Sequence, residues 1–437
     1  MRILYITPGT GDNFYCENCL RDNIVVKGLN AIGHQASIVP LYLPVHHDTG
    51  LAAGDAPIFF GGVNVYLQQK LGVFRHSPRW LDRLLDHPRL LEAAGRMSGM
   101  TNNRDLGALT HSMLLGEHGH QAKEVARLLG FLIVGPRPDV VVLASSLLIG
   151  LAEPLSRGLG VPVVCQLQGE SGFLDAMPAP WRSRCWRAMA AGCRHVAAFI
   201  TVSTYYRGLM IRRLALDPQR VHVVHIGLEV DDFAPRAQEP RTAAVGFLSR
   251  LCPMKGLDLL VDAWLELRRQ PRFARLQLHL AGGWLSSDLP YIRTQLRRIK
   301  RAGGLHDLRL RDARRREEKR RFLAGCTVLS TPARDAEGYG LFMLEAAATG
   351  VPVVQPDTPP FPEILDRAGH GVIYAASDPA GLRDALGGLL SDPAARELLA
   401  AQGRAGVAAH FDLVAYARRT VGVLSEAVAL NAARCDR

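Results

Sequence analysis

No apolar run among the 437 residues is long enough to cross a bilayer as a helix. Cysteine is sparse, with 8 in the chain. Apart from Cys16 and Cys19 the cysteines are scattered, so the sequence offers neither a disulfide framework nor the ligand count of a structural zinc site. Free thiols in a reducing compartment are the expectation. There is no internal repeat and no low-complexity tract, which excludes a repeat array. Histidines such as His46 and His47, or those in "GEHGHQAKEV", lack metal-ligand spacing. The opening "MRILYITPGT" has an apolar stretch too short for a signal sequence and no small-residue cleavage site behind it. It reads as a first strand, and the chain as cytoplasmic.

What the chain does have is a normal globular composition, 48% hydrophobic and 21% charged, with a formal net charge of +11. That balance suits acidic partners: nucleotide phosphates, nucleic acid or an anionic membrane face. The length allows two domains, each with its own core. Short apolar runs alternate with longer amphipathic segments. Arg2–Thr7, Asp139–Ser145, Val161–Leu167, Ala198–Ser203 and Val221–Ile226 read as buried strands. Arg21–Ile32 and Gly116–Gly130 read as amphipathic segments between them. "EVDDFAPRAQEPRTA" (Glu229–Ala243) is polar, carries two prolines and reads as a linker. The pattern then restarts at Ala244–Arg250, Leu276–Gly282, Cys326–Pro332 and Val351–Pro356. Continuous apolar strands separated by helices predict α/β architecture, two doubly wound Rossmann-like domains facing a central cleft. The expected boundaries are 1–228 with an insertion at about 40–104, a linker at 229–243, a second domain at 244–412, and a last helix at 413–437 returning to the first domain.

Two stretches carry the chemistry. In "SRLCPMKG" (Ser249–Gly256), Arg250 ends a strand and Lys255 opens a helix. Two cations near a helix N-terminus above a sheet edge can hold a diphosphate, or they can be solvated loop cations. In "AEGYGLFMLEAAATGVPVV" (Ala336–Val354), Glu337 precedes a glycine-flanked turn and a helix runs from about Leu341 to Thr349. Glu345 lies one turn into that helix among Leu, Met and Ala. A carboxylate buried there needs a partner. Ribose hydroxyls would serve, as would a neighbouring Arg.

Arg250-x4-Lys255 followed by Glu337-x7-Glu345 resembles the donor-site signature of retaining glycosyltransferases of family 4, which have the GT-B fold. "FITVSTYYRGLM", "VHVVHIGLEVDDF" and "PFPEILDRAGHGVIY" are similar to that family too. The resemblance implies a nucleotide-sugar donor, retention at the anomeric carbon by front-face substitution, and no metal or other cofactor. The sequence has no convincing Asp-x-Asp motif. The resemblance also implies that Arg250 and Lys255 hold the diphosphate, Glu345 the ribose and Glu337 the transferred sugar, beside the backbone of Gly338, Tyr339, Gly340 and Leu341. Gly9 and Gly11 match the family's glycine-rich loop after the first strand. On the acceptor side, Gln168 stands where the family commonly carries a histidine. It can donate a hydrogen bond but cannot shuttle a proton. Glu170 and Asp22 are further acceptor-side candidates, with an ordinary helix-surface position the alternative for Asp22. The acceptor is a glycan, a lipid-linked sugar or a small molecule.

Other readings stand beside this one. Gly9-x-Gly11 after a strand hints at dinucleotide binding, but Phe14 replaces the third glycine and no acid ends the second strand, "SIVPLYLP". Cys16 and Cys19 read as packed thiols or as a redox pair. The basic segment Tyr291–Arg321 lacks the aromatics that stack bases, so nucleic acid is not expected. A solvated helix face is the first reading there and peripheral contact with an anionic membrane the second. A noncatalytic sugar-nucleotide-binding protein of the same fold remains the alternative function.

Overall fold

The computed structural model describes residues 1–9, 17–42, 59–60, 65, 67–69, 71, 74–75, 103–313 and 315–435. Most of the expected insertion at about 40–104, together with Gly11 and Cys16, lies outside the described residues. The chain forms two units. One is Met1–His225 with Tyr416–Arg437, the other Ile226–Ala415.

The first unit is built on β1 (Arg2–Thr7), β2 (Gln35–Pro40), β3 (Val140–Leu143), β4 (Val163–Leu167), β5 (Ala198–Thr201) and β6 (Val221–Val223). They form one parallel sheet in the order β2-β1-β3-β4-β5-β6. β3, β4 and β5 are buried at every position, because helices cover both faces of a parallel sheet. Hence their sequences are unbroken apolar runs rather than alternating ones.

The second unit carries β7 (Ala244–Leu248), β8 (Gln277–Ala281), β9 (Leu308–Arg311), β10 (Val328–Leu329), β11 (Val353–Pro356) and β12 (Gly371–Tyr374). Their order is β12-β11-β10-β7-β8-β9, again all parallel. Its core gathers around Trp264, fully buried on helix Leu257–Arg268, whose indole N–H donates to the Leu276 carbonyl at 3.1 Å. Chain order therefore reverses between β7 and β10. In an open α/β sheet that switch point leaves a crevice outside the carboxyl ends of the two strands, where ligands bind.

Two regions differ from the expectation. The polar stretch 229–243 belongs to the second unit and is no free tether. The Arg236 backbone N–H donates to the Thr349 carbonyl at 3.0 Å, its guanidinium reaches the Cys326 carbonyl at 2.5 Å, and Glu239 accepts from Arg396 at 2.8 and 2.9 Å. The basic segment, expected as a solvated face, holds helix Leu289–Arg301, β9 and helix Arg316–Ala324. Gln295, Ile299, Lys319, Phe322 and Leu323 from it are buried.

Candidate functional site

Strand β7 ends at Leu248, and its loop carries Arg250 and Lys255 to the switch point. The turn closes on Gly256 at φ 71°, a left-handed conformation that glycine adopts without strain. A Cβ there would stand 1.9 Å from the Pro332 carbonyl oxygen. Only a glycine lets the β7 loop lie this close to the loop after β10. Arg334 fastens the two loops. Its guanidinium forks onto Asp258 at 2.8 and 2.7 Å and reaches the Pro253 carbonyl at 2.6 Å, while its backbone N–H donates to the Met254 carbonyl at 3.0 Å. The Tyr291 hydroxyl donates to Asp258 at 2.7 Å. Burial pushes the Asp258 carboxyl up, but the Arg334 and Tyr291 hydrogen bonds win and hold it below the usual carboxylate range.

Each of the four signature charges meets an opposite charge. Arg250 donates to buried Asp288 through Nε at 2.8 Å and Nη2 at 3.0 Å, a planar fork on one carboxylate. Asp288 is itself fixed by the Leu285 backbone N–H at 2.7 Å. Burial opposes the charge on Arg250, yet the Asp288 bonds outweigh it and raise its pKa above the usual value. Lys255 Nζ lies 2.6 Å from Glu337 Oε1, close enough for an ion pair but outside the directions of a hydrogen bond on that oxygen. Glu345, 3% exposed on helix Leu341–Thr349, is paired through Oε1 with Lys319 Nζ at 2.6 Å. Its Oε2 is buried and has no hydrogen-bond partner among the described residues. Tyr339 is buried, and its hydroxyl donates to the Ile226 carbonyl at 3.3 Å. Gly340 has φ 174°, extended backbone that any residue adopts, so its φ does not require a glycine. Leu341 is the first helical residue and is buried; the helix's first amides point out of its N-terminus without intrahelical partners.

The acceptor-side candidates fall in the first unit, and the structure revises three of them. Glu170 was expected to line a ligand. Instead Oε1 accepts from Ser145 Oγ at 2.9 Å and the Ser146 N–H at 2.9 Å, and Oε2 accepts from the Gln168 N–H at 2.7 Å and Tyr206 Oη at 3.1 Å. Four donors use the whole capacity of a carboxylate, so Glu170 braces the β3 and β4 loops. Gln168 was expected to donate. Its Nε2 is engaged by the Ala144 carbonyl and by Gln166 Oε1, while buried Oε1 has no partner among the described residues, so what it offers is an acceptor. Asp22 does not lie on an exposed helix surface. It is 1% exposed, bound by Thr7 Oγ1 at 2.8 Å and Arg21 Nη2 at 3.2 Å. Burial raises its pKa to about 6, against the pull of Arg21 and Thr7. Gly9, after β1, is left-handed at φ 69°.

Sequence reasoning missed Asp288, Arg334 and Lys319. For the last a signal existed. Lys319 precedes Phe322 by three and Leu323 by four, the spacing of one helical face. Among the described residues no group of three His, Cys, Asp or Glu is placed to hold a metal ion. No described helix is long and apolar enough to cross a membrane.

Comparison with known proteins fits this geometry. Residues 25–227 match the family model described as "Glycosyl transferase 4-like domain", and residues 242–392 match "Glycosyl transferases group 1". The chain belongs to the group 1 glycosyltransferases. Within this family it is 34% identical over 224 residues to D-inositol 3-phosphate glycosyltransferase of Frankia alni, covering 48% of this chain and 54% of that one. It is 32% identical over 194 residues to the GDP-mannose-dependent alpha-(1-6)-phosphatidylinositol monomannoside mannosyltransferase of Mycolicibacterium smegmatis, covering 41% and 49%. The chain thus spans about half the length of these curated relatives. Among solved structures, Anabaena HepE in complex with UDP and glucose superposes with a TM-score of 0.69 at 15% identity, over 98% of this glycosyltransferase-family chain and 100% of that one. The shared fold is GT-B, two Rossmann-like units.

Proposed function

We propose that this protein transfers a sugar from a nucleoside-diphosphate donor to a hydroxyl acceptor, with retention and without a metal. The observation that carries the reading is the set of counter-charged groups at the switch point, completed by a buried Glu345 oxygen that has no hydrogen-bond partner among the described residues. Arg250 and Lys255 would hold the diphosphate, and Glu345 the ribose through Oε2. Glu337, oriented by Lys255, would meet hydroxyls of the transferred sugar, beside the backbone of Gly338, Tyr339, Gly340 and Leu341. Gly9 and Gly11 are proposed to face the donor phosphate, and Gln168 Oε1 to accept from a substrate hydroxyl.

In the reaction the bond from the anomeric carbon to the phosphate oxygen breaks, and a bond to the acceptor oxygen forms on the same face. The departing phosphate takes the acceptor proton. Negative charge grows on the diphosphate where Arg250 and Lys255 already stand, and such preorganised charge is the main electrostatic device of catalysis. The two cations supply the countercharge that a divalent metal supplies elsewhere.

Thermal shift with UDP-, GDP- and ADP-sugars selects the donor, because a ligand that binds only the folded state raises the melting temperature with its concentration. The relatives' names put D-inositol 3-phosphate and phosphatidylinositol mannosides first on the acceptor panel. Transfer that survives EDTA, with an α-configured product from an α-configured donor by NMR, is the expected result. Inversion, or complete loss with EDTA, refutes those parts of the reading. A noncatalytic nucleotide-sugar-binding protein is the second reading, supported by Gln168, which cannot shuttle a proton and whose amide donors are engaged within the protein. Donor binding without hydrolysis or transfer across the panel would favour it.

A further inference from the structure

Helix Arg316–Ala324 carries two unlike sets of charges. Arg321 pairs with Glu317 and Glu318 along its exposed side. Lys319 lies on the opposite side, 4% exposed on the same helix face as buried Phe322 and Leu323, with its ammonium on Glu345 Oε1. Taking a lysine and a glutamate out of water costs several kcal/mol per ion in round terms, and an apolar pair of similar volume is often as stable or more so. Packing alone therefore gives no reason for a cation here.

Glu345 itself shows what the cation does. One of its oxygens is held by Lys319, and the other is buried with no hydrogen-bond partner among the described residues. Leaving a carboxylate oxygen unsatisfied out of water is costly, and a ligand hydroxyl entering with the donor relieves it. With Oε1 held by Lys319, rotation of the carboxylate about its last bond is restrained, which favours Oε2 facing that hydroxyl.

We propose that Lys319 is a positioning residue for the donor. It supplies the counter-charge of Glu345 and fixes the carboxylate so that Oε2 grips the ribose hydroxyls, which makes Lys319 a determinant of ribose recognition although it does not touch the ligand. The inference rests on the assignment of Glu345 to the ribose.

The test uses the full chain and isothermal titration with UDP, GDP and ADP. The tightest binder is then compared with its 2′,3′-dideoxy counterpart. In the wild type, removing the hydroxyls should cost roughly 30-fold, the range of a hydrogen bond to a charged group. Lys319→Met should weaken only the ribose form and shrink the ratio to under about 5-fold, while Lys319→Arg restores most of it. A wild-type ratio in Lys319→Met overturns the proposal. Glu345→Gln separates the two layers. If it collapses the ratio while Lys319→Met does not, only the inference fails. If Glu345→Gln keeps the wild-type ratio, or no nucleotide binds the wild type, the ribose assignment fails and the inference with it.

Because Lys319→Met leaves a buried carboxylate without its counter-charge and endangers the fold, the double variant Lys319→Met/Glu345→Gln gives an independent reading. Acting only through Glu345, Lys319 should add nothing in that background, with both affinities within about 2-fold of Glu345→Gln alone. A further loss beyond about 5-fold would mean direct contact with the ligand and would overturn the proposal.

Discussion

The two units treat buried carboxylates in opposite ways. Glu170, in the first, takes four protein donors and has no capacity left. Glu345, in the second, takes Lys319 on one oxygen, and its other oxygen has no hydrogen-bond partner among the described residues. Both lie near the carboxyl ends of parallel strands, where ligands bind in such sheets. Position in the fold therefore does not separate these two carboxylates. The count of protein donors does.

The sharpest way to break the comparison is to remove the paired charges of the second unit. Lys255→Ala or Glu337→Gln should each lower kcat by about 10²–10³-fold, the range for removing one preorganised stabiliser of developing charge. The melting temperature of Glu337→Gln should stay within a few degrees, because the Lys255 left behind is partly solvent-exposed. Near-normal turnover in both variants would remove Arg250, Lys255, Glu337 and Glu345 as a working set.

Glu170 should fail in the opposite manner. Glu170→Ala strips a partner from Ser145, Ser146, Gln168 and Tyr206 at once. Each buried group left unsatisfied costs about 1–3 kcal/mol, so a loss of 3 kcal/mol or more of stability is expected. Nucleotide affinity of the remaining folded protein should be unchanged. Denaturant titration and nucleotide calorimetry on the same preparation check both halves. A stable variant with weakened acceptor use would return Glu170 to the ligand side.

How much of this was readable beforehand follows from what each residue's neighbours in sequence can reveal. β1 and helix Leu341–Thr349 match their expected bounds, because a strand buried on both faces and a helix buried all round leave continuous apolar runs. β9 and β12 went unread, and they are the two edges of the second sheet. In β9 the apolar run is broken: it reads Leu-Arg-Leu-Arg, with its last two residues exposed. The Arg250-to-Glu345 set was legible because its spacing is local to two loops and one helix. Its counter-charges were not. Asp288 stands 38 positions from Arg250, and Lys319 26 from Glu345, distances that only the folded sheet shortens. Glu170 was misassigned because sequence shows a carboxylate in a loop but not the backbone N–H groups that converge on it.

Acid should sharpen the contrast between the units. In the second, burial lowers the pKa of His370 to about 4, and burial followed by the Arg311 and Arg309 charges does the same to His279. Both unfolded histidines titrate near 6.5, so each costs stability as pH falls from 6.5 toward 4, about 2 kcal/mol apiece at pH 5. In the first unit Asp22 has the opposite sign. Its folded pKa of about 6 lies above the unfolded value of 3.8, so its contribution is full below 3.8 and lost as pH rises through 6. Going from pH 7 to 5 should thus return about 1 kcal/mol there. Hydrogen exchange by mass spectrometry, corrected for intrinsic rates, should show β8, β11 and β12 losing protection at pH 5 while β1 keeps its own. Equal loss in both sheets would contradict the assignment.

The smallest effect belongs to the exposed side of helix Arg316–Ala324. Arg321 is about as well paired on paper as Lys319, with Glu317 and Glu318 both in reach, yet its side chain is 65% exposed. Exposed pairs gain little because water already stabilises both charges and holding two long side chains in one geometry costs entropy. Arg321→Ala should therefore change stability by under about 0.5 kcal/mol and leave the ratio of ribose to dideoxy affinity at its wild-type value. Lys319→Arg, two positions away, retains the charge and changes only its shape. If Arg321→Ala moved nucleotide affinity as far as Lys319→Met does, the helix would be acting through its overall positive charge. The distinction between a cation in water and one that holds Glu345 in place would then be lost.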